Sequence, residues 1–222
     1  LPEQVVQDVL LSAFDSAGQR CSALRVLCVQ DDIAERVIEM LKGGLKELNI
    51  GRPHELDVDV GPVIDAEAQQ RLLEYIERKR SVATKVTQLE IPSDIAANGT
   101  YVAPTILELK NLGDLTQEVF GPVLHVVRFK AGELDQLIAH INEQNYALTH
   151  GIHSRIDGQI EYIASRIEAG NVYVNRNIVG AVVGVQPFGG HHQSGTGPKA
   201  GGPFYLQRMT TLNPWRLPLG SE

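Results

Sequence analysis

The chain has 222 residues, 43% of them hydrophobic and 21% charged, a balance that fits a compact globular protein and excludes wholesale disorder or a fibrous repeat. Its 20 Lys and Arg against 27 Asp and Glu give a formal charge of −7 with no basic block, which argues against a nucleic-acid surface or a polybasic membrane patch. Two cysteines cannot build a disulfide framework, no apolar leader opens the chain, and no apolar run approaches the roughly 18 to 20 residues of a membrane span, so a cytoplasmic location is expected.

In chain order, "PEQVVQDVLLSAF" sets Val5, Val6, Val9, Leu10 and Phe14 on one helical face, with Pro2 suited to the first turn. "ALRVLCV" is a short apolar run that reads as a buried strand. Asp31 and Asp32 then suit the cap of "IAERVIEMLKGGLKEL", whose apolar face is Ile33, Val37, Met40, Leu41 and Leu45. A turn at Gly61 and Pro62 leads to Asp65, a good N-cap, and to a helix ending in "ERKR", where cations favour the helix dipole. Strands are expected at "ATKVTQL", "TYVAPTIL", "PVLHVVRF", "LTHGIHSRI" and "NVYVN", with helices at "ELDQLIAHINEQ" and "GQIEYIASRIE". This alternation implies βαβ units, hence an α/β fold with a largely parallel sheet flanked by helices. One domain over residues 1–205 is expected, followed by a tail over 206–222 that could supply an edge strand or an oligomer contact. The glycine-dense stretch "GAVVGVQPFGGHHQSGTGPKAGGP" is too long for a mere connector and is expected to line a site.

Chemistry centres on the cysteines. Cys28 lies mid-strand in apolar surroundings, where burial raises a thiol's pKa and hinders reaction, so it reads as a core residue. Cys21 follows a Gly-containing turn and has Arg20 and Ser22 beside it, a setting in which a thiolate could be stabilised. From local context alone a reactive Cys21 and an inert one are about equally good readings. His191 and His192 are adjacent in a loop and diverge, which disfavours a metal site; His150 and His153 read as packing or surface residues. "GTGPKAGGP" lacks the context of a phosphate-binding loop.

The segment "FDSAGQRCSALRVL" resembles the catalytic-cysteine segment of the aldehyde dehydrogenase superfamily, in which a Gly-Gln-x-Cys pattern carries the nucleophile. "QEVFGPV" at 117–123, "GNVYVNR" at 170–176 and "QPFGGHHQSGTG" at 186–197 agree with it in order and spacing. Intervening stretches such as "LNIGRPHELDVDVGPVID" are most similar to the glutamate-semialdehyde (pyrroline-5-carboxylate) dehydrogenase branch, and within it to the dehydrogenase part of the bifunctional proline-utilization A proteins.

The resemblance implies roles. Cys21 would attack the aldehyde to form a thiohemiacetal, with its own backbone N–H as one oxyanion donor and NAD as the hydride acceptor. Glu118 would bond the nicotinamide ribose and Phe120 would pack near the nicotinamide ring; without the other motifs they would be read as a turn residue and a core aromatic. Arg20, Ser22 and the backbone of Gly180 and Ala181 would hold the substrate's α-carboxylate, and Phe188 would wall its aliphatic part or simply pack the loop.

The partners implied are a small aldehyde bearing an α-carboxylate and the NAD-binding domain of a longer parent chain, itself expected to be a homo-oligomer. FAD would belong only to a separate proline dehydrogenase domain of that parent. The family's general-base Glu and oxyanion Asn lie upstream of the cysteine, and neither those segments nor a GxGxxG after a strand is found here, so the 222 residues are expected to fold without turning over. Competing readings are a cysteine hydrolase pairing Cys21 with a histidine, a CoA-acylating aldehyde dehydrogenase, and a non-catalytic dimerisation module.

Overall fold

The structure, a computed structural model, describes residues 1–203 and 205–210. Helix α1 (Pro2–Phe14) is followed by a tight 3-10 turn (Asp15–Gly18), strand β1 (Val26–Gln30) and helix α2 (Asp31–Lys46). Next come α3 (Ala66–Arg80), β2 (Lys85–Gln88), the short α4 (Ser93–Ala96), β3 (Thr105–Leu109) and β4 (Val123–Phe129). The last third holds α5 (Leu134–Glu143), β5 (Tyr146–Ala147), β6 (Thr149–Ile152), α6 (Asp157–Ala164), β7 (Asn171–Val174), β8 (His191–His192) and α7 (Tyr205–Thr210).

The main sheet runs β1-β4-β3-β2, with parallel ladders between β1 and β4 and between β4 and β3, and an antiparallel edge at β2. Parallel pairing needs crossovers: α2 and α3 lie on the connection that carries β1 toward β4, whereas β3 returns to β4 through residues 110–122, which hold only a 3-10 turn (Leu112–Asp114). Val123–Val127 are buried without a break, as required of a central strand covered on both faces. Phe14 of α1, Ile38 and Leu41 of α2, Leu107 of β3 and Leu124 of β4 are almost wholly excluded from solvent in one continuous core. Separate parallel β6–β7 and antiparallel β5–β8 pairs complete the mixed α/β arrangement.

Several local expectations shift. Gln30, not Asp31 or Asp32, is the N-cap of α2; the two acids occupy its first turn, where they still favour the helix dipole. Ile33 is 50% exposed: it heads the i, i+4 row of Val37, Leu41 and Leu45 but stands in the first turn, where Ala34 takes the core position. Asp65 does cap α3, its Oδ1 accepting from Ala68 N–H at 2.7 Å. The strand expected from residue 100 begins at Thr105: Pro104 has no N–H for a ladder, and the buried Tyr101 carbonyl is satisfied by Gln69 Nε2 at 2.8 Å. His191 and His192 form a short strand against Tyr146 and Ala147 instead of a free loop, and His192 Nε2 meets Glu168 Oε2 at 2.7 Å. Residues 205–210 are helical at the start of the tail from which an edge strand or an oligomer contact is expected, and 211–222 lie outside the described residues.

Candidate active site

The approach to Cys21 is a backbone device. After α1, Ser16, Ala17 and Gly18 all take left-handed φ values of 54, 52 and 64°. For a non-glycine residue this costs on the order of 1–2 kcal/mol, so the surroundings must hold it. They do so at Gly18, where a Cβ would stand 2.1 Å from the carbonyl oxygen of Gly121. Only glycine lets the cysteine turn lie directly on the 117–123 segment. Gln19 secures the other side, its Oε1 accepting from Ile64 N–H at 2.8 Å and its Nε2 donating to Pro62 O at 3.3 Å.

Cys21 itself is exposed, while Cys28 sits mid-ladder opposite Val127 and burial pushes its thiol up to about 12. Cys21 opens onto a cavity of about 360 Å³ that runs back between β1, α5 and β6; Arg25, Glu118, Cys28, His150 and Ile178 contribute to its wall. Burial holds the His150 imidazole down to about 4, so it lines the cavity as a neutral ring near neutral pH.

Arg25 organises the mouth. Its Nη1 donates to Gly18 O at 2.5 Å and its Nη2 to Arg20 O at 2.9 Å. Its Nε stands 3.6 Å from Glu118 Oε1, and its guanidinium lies 4.4 Å from the centroid of the Phe120 ring. Burial lowers the Arg25 pKa, against the opposing influence of Glu118 and, more weakly, of Cys21. The peptide oxygen of Arg25 is held in turn by His125, through its backbone N–H at 3.0 Å and its Nδ1 at 2.8 Å. With Nδ1 donating, His125 Nε2 accepts from Tyr75 Oη at 2.9 Å, and burial holds this imidazole down to about 4.

Of the residues singled out from sequence, Cys21 and Glu118 line the cavity. Phe120, 45% exposed, joins them through Arg25. Ser22 is buried, and its Oγ accepts from Gly180 N–H at 3.1 Å, which brings the glycine turn (φ 72°) and the adjacent Ala181 against the cysteine segment. Arg20 behaves otherwise than its sequence neighbourhood suggests. Its guanidinium turns back to Asp15 Oδ2 and Ser16 Oγ, each at 2.9 Å, so the cation that reaches toward Cys21 is Arg25. That Asp15 pair is half exposed and worth at most about 1 kcal/mol, so an anion could draw Arg20 away. Phe188 sits farther along the glycine-rich loop, bridged to Ala200 and outside the cavity wall.

Sequence reasoning missed Arg25, Gln19, Gly121, His125 and the Tyr75 that bonds it. One signal was present: a charge inside the apolar run "ALRVLCV" must have a partner if that run is buried. A dinucleotide's nicotinamide riboside suits the Glu118–Phe120 pair. The carboxylate's Oε2 takes no partner among the described residues, and the exposed ring offers a face while Arg25 covers the other. Among the described residues no cluster of His, Cys, Asp or Glu could hold a metal, and no helix is long and apolar enough to cross a membrane.

Known proteins resemble this chain in sequence and in fold. The profile of the aldehyde dehydrogenase family matches residues 2–213. The bifunctional protein PutA of Salmonella typhimurium is 54% identical over 218 residues, covering 96% of this chain and 16% of that protein. A 1-pyrroline-5-carboxylate dehydrogenase of Geobacillus kaustophilus is 36% identical over 206 residues, covering 92% of this chain and 39% of its own length. A crystal structure of a bifunctional proline utilization A protein superposes with a TM-score of 0.88 at 55% identity, over 93% of this chain and 20% of that one. A 1-pyrroline-5-carboxylate dehydrogenase from Thermus with bound NAD superposes with a TM-score of 0.82 at 34% identity, over 93% of this chain and 39% of that one. The chain thus spans only 16 to 39% of the length of the curated relatives named here.

Proposed function

The chain belongs to the aldehyde dehydrogenase family, and from that premise we propose that it is the thiol-bearing segment of an NAD-dependent dehydrogenase that oxidises L-glutamate γ-semialdehyde to L-glutamate in proline catabolism. The observation that carries this reading is the contrast between the cysteines. Cys21 is exposed on a strained turn at the mouth of a cavity with a cation, a carboxylate and an aromatic ring at hand, whereas Cys28, half-buried in the wall of the same cavity, has its thiol pushed up to about 12. The relatives' printed names, bifunctional PutA and 1-pyrroline-5-carboxylate dehydrogenase, favour this substrate.

In this reading the Cys21 thiolate adds to the aldehyde carbon, forming the C–S bond of a thiohemiacetal, and the Cys21 N–H donates to the resulting oxyanion. Bound NAD⁺ supplies the acceptor for the hydride that leaves that carbon. Glu118 and Phe120 are the residues that would hold the nicotinamide riboside, the one through ribose hydroxyls and the other by ring contact. Water then cleaves the thioester at Cys21, releasing the acid and the thiol. Beside the nucleophile an α-carboxylate would meet the Ala181 N–H and the Ser22 hydroxyl, which keeps its hydrogen to donate while its oxygen takes the Gly180 N–H, with Arg20 recruited from its surface pair and Phe188 closing the far side once substrate is in place. The chain works with a complementary segment that supplies the base and most of the dinucleotide site, and the 222 residues alone fold without turnover.

Replacing Cys21 tests the proposal. C21A in the full-length polypeptide should lower NAD⁺-dependent oxidation of the semialdehyde by a factor on the order of 10⁴ or more, the scale lost when a covalent nucleophile is removed. Retained turnover would sink it. A dependence on CoA, with acyl-CoA as product, would instead select the acylating relative.

A further inference from the structure

The peptide that joins Arg20 to Cys21 carries the N–H that faces the reacting carbonyl, and its oxygen is held from two sides. Ala23 N–H donates to it at 3.1 Å and Arg25 Nη2 at 2.9 Å. Because a peptide is planar and trans, whatever holds that oxygen also aims the N–H on its opposite edge. Among the described residues nothing accepts from the Cys21 N–H. A cationic donor on the oxygen further polarises the amide and strengthens its N–H as a donor. The second fork of the same guanidinium, Nη1, takes Gly18 O at 2.5 Å, so the turn is clamped on both sides of Gln19. The remaining Nε–H is buried, makes no hydrogen bond, and stands 3.6 Å from Glu118 while the guanidinium plane covers Phe120. An unpaired buried donor is costly, and here it points at a carboxylate that only a small shift would bring into hydrogen-bond range.

We propose that Arg25 is a positioning residue that aims and polarises the Cys21 N–H for the oxyanion, and that its unpaired Nε links this aim to the placement of the Glu118–Phe120 segment. The inference rests on the nucleophile reading of Cys21 given above. A lysine could keep the charge, but it could not grip two carbonyls and still lie flat on the Phe120 ring.

The test compares R25K and R25M with the wild type in the full-length polypeptide, using two readouts. One is steady-state oxidation of glutamate semialdehyde with NAD⁺. The other is the rate at which iodoacetamide alkylates Cys21, followed by peptide mass spectrometry, a displacement that creates no oxyanion at a carbonyl carbon. For R25K, kcat should fall on the order of 10- to 100-fold, part of the loss seen when an oxyanion donor is removed, and the KM for NAD⁺ should rise severalfold, while alkylation stays within about threefold. R25M, which also removes the charge, should lose both turnover and alkylation. Turnover by R25K within about twofold of wild type, or equal losses in turnover and alkylation, would overturn the positioning role. C21A separates this from the underlying reading: if C21A turns over normally, the nucleophile assignment fails whatever R25K does.

Discussion

In β4, Val123–Val127 are buried in unbroken succession and lie in regular parallel register with β1 on one side and β3 on the other. The turn at residues 15–25 has no such redundancy. Its shape depends on left-handed residues, one glycine-to-glycine contact and the fork of Arg25. A sheet built from many equivalent contacts tolerates the loss of any single one as a graded decrease in stability. A turn built from a few unlike contacts has no equivalent contact to take up the loss of one. The two regions also treat their cysteines oppositely: the sheet half-covers Cys28 and pushes its thiol up to about 12, and the turn presents Cys21.

The comparison can be broken most directly from the sheet side. Leu107, fully buried in β3, should cost about 2–5 kcal/mol when replaced by alanine, read from urea unfolding, because a cavity adds to the lost transfer energy. The folded L107A protein should still alkylate at Cys21 at the wild-type rate. Slowed labelling at that site would mean that the sheet and the turn are not separable.

A pH titration sharpens the join between the two regions, where His125 of β4 holds the Arg25 carbonyl. Its folded pKa, about 4, lies below the ordinary value of 6.5, so between those limits the unfolded chain takes up a proton that the folded chain refuses. The stabilising contribution is therefore fully present above pH 6.5 and is lost as pH falls toward 4, by up to about 3 kcal/mol. The difference between wild type and H125Q, followed by denaturant unfolding across that range, should show this slope. His150, also held down to about 4 by burial, accounts for a further part that H125Q leaves in place. Parallel pH dependence in the two proteins would contradict the burial of a neutral His125.

At the turn, geometry is expected to change along with stability. Gly18→Ala should cost roughly 1–2 kcal/mol from its left-handed backbone, with a further loss as residues 18 and 121 part. Its iodoacetamide labelling at Cys21 should nevertheless change severalfold, the reverse of the pattern for L107A. A G18A protein that labels at the wild-type rate would show that the close approach to Gly121 is not what presents the thiol.

Periodicity and end signals made the helices legible: Val6, Val9 and Phe14 of α1 are buried as spaced, and Asp65 caps α3. The exposure of Cys21 accords with its glycine turn, whereas the burial expected of the apolar run around Cys28 is only partial, because β1 is an edge strand of the sheet and lines the cavity. The partition of β5 from β6, the antiparallel edge at β2 and the pairing of His191 and His192 with Tyr146 and Ala147 were not legible, since each depends on which distant segment supplies the other half of a ladder. The same holds for Arg20 and Arg25. Both are charges close to Cys21 in sequence, yet one folds back onto Asp15 and the other reaches Glu118, a residue more than ninety positions away.

By itself, then, the sequence determined the α/β class, the family and the exposure of Cys21, because local spacing and a short motif are enough to specify a helix, a strand and a glycine turn. Only the tertiary structure decided which cation serves that thiol, how Gly18 meets Gly121 and how Ser22 meets Gly180. The physical reason is range. Propensity and periodicity act over a few residues, whereas a hydrogen bond or an ion pair depends on where the packed core delivers two groups that the chain keeps far apart.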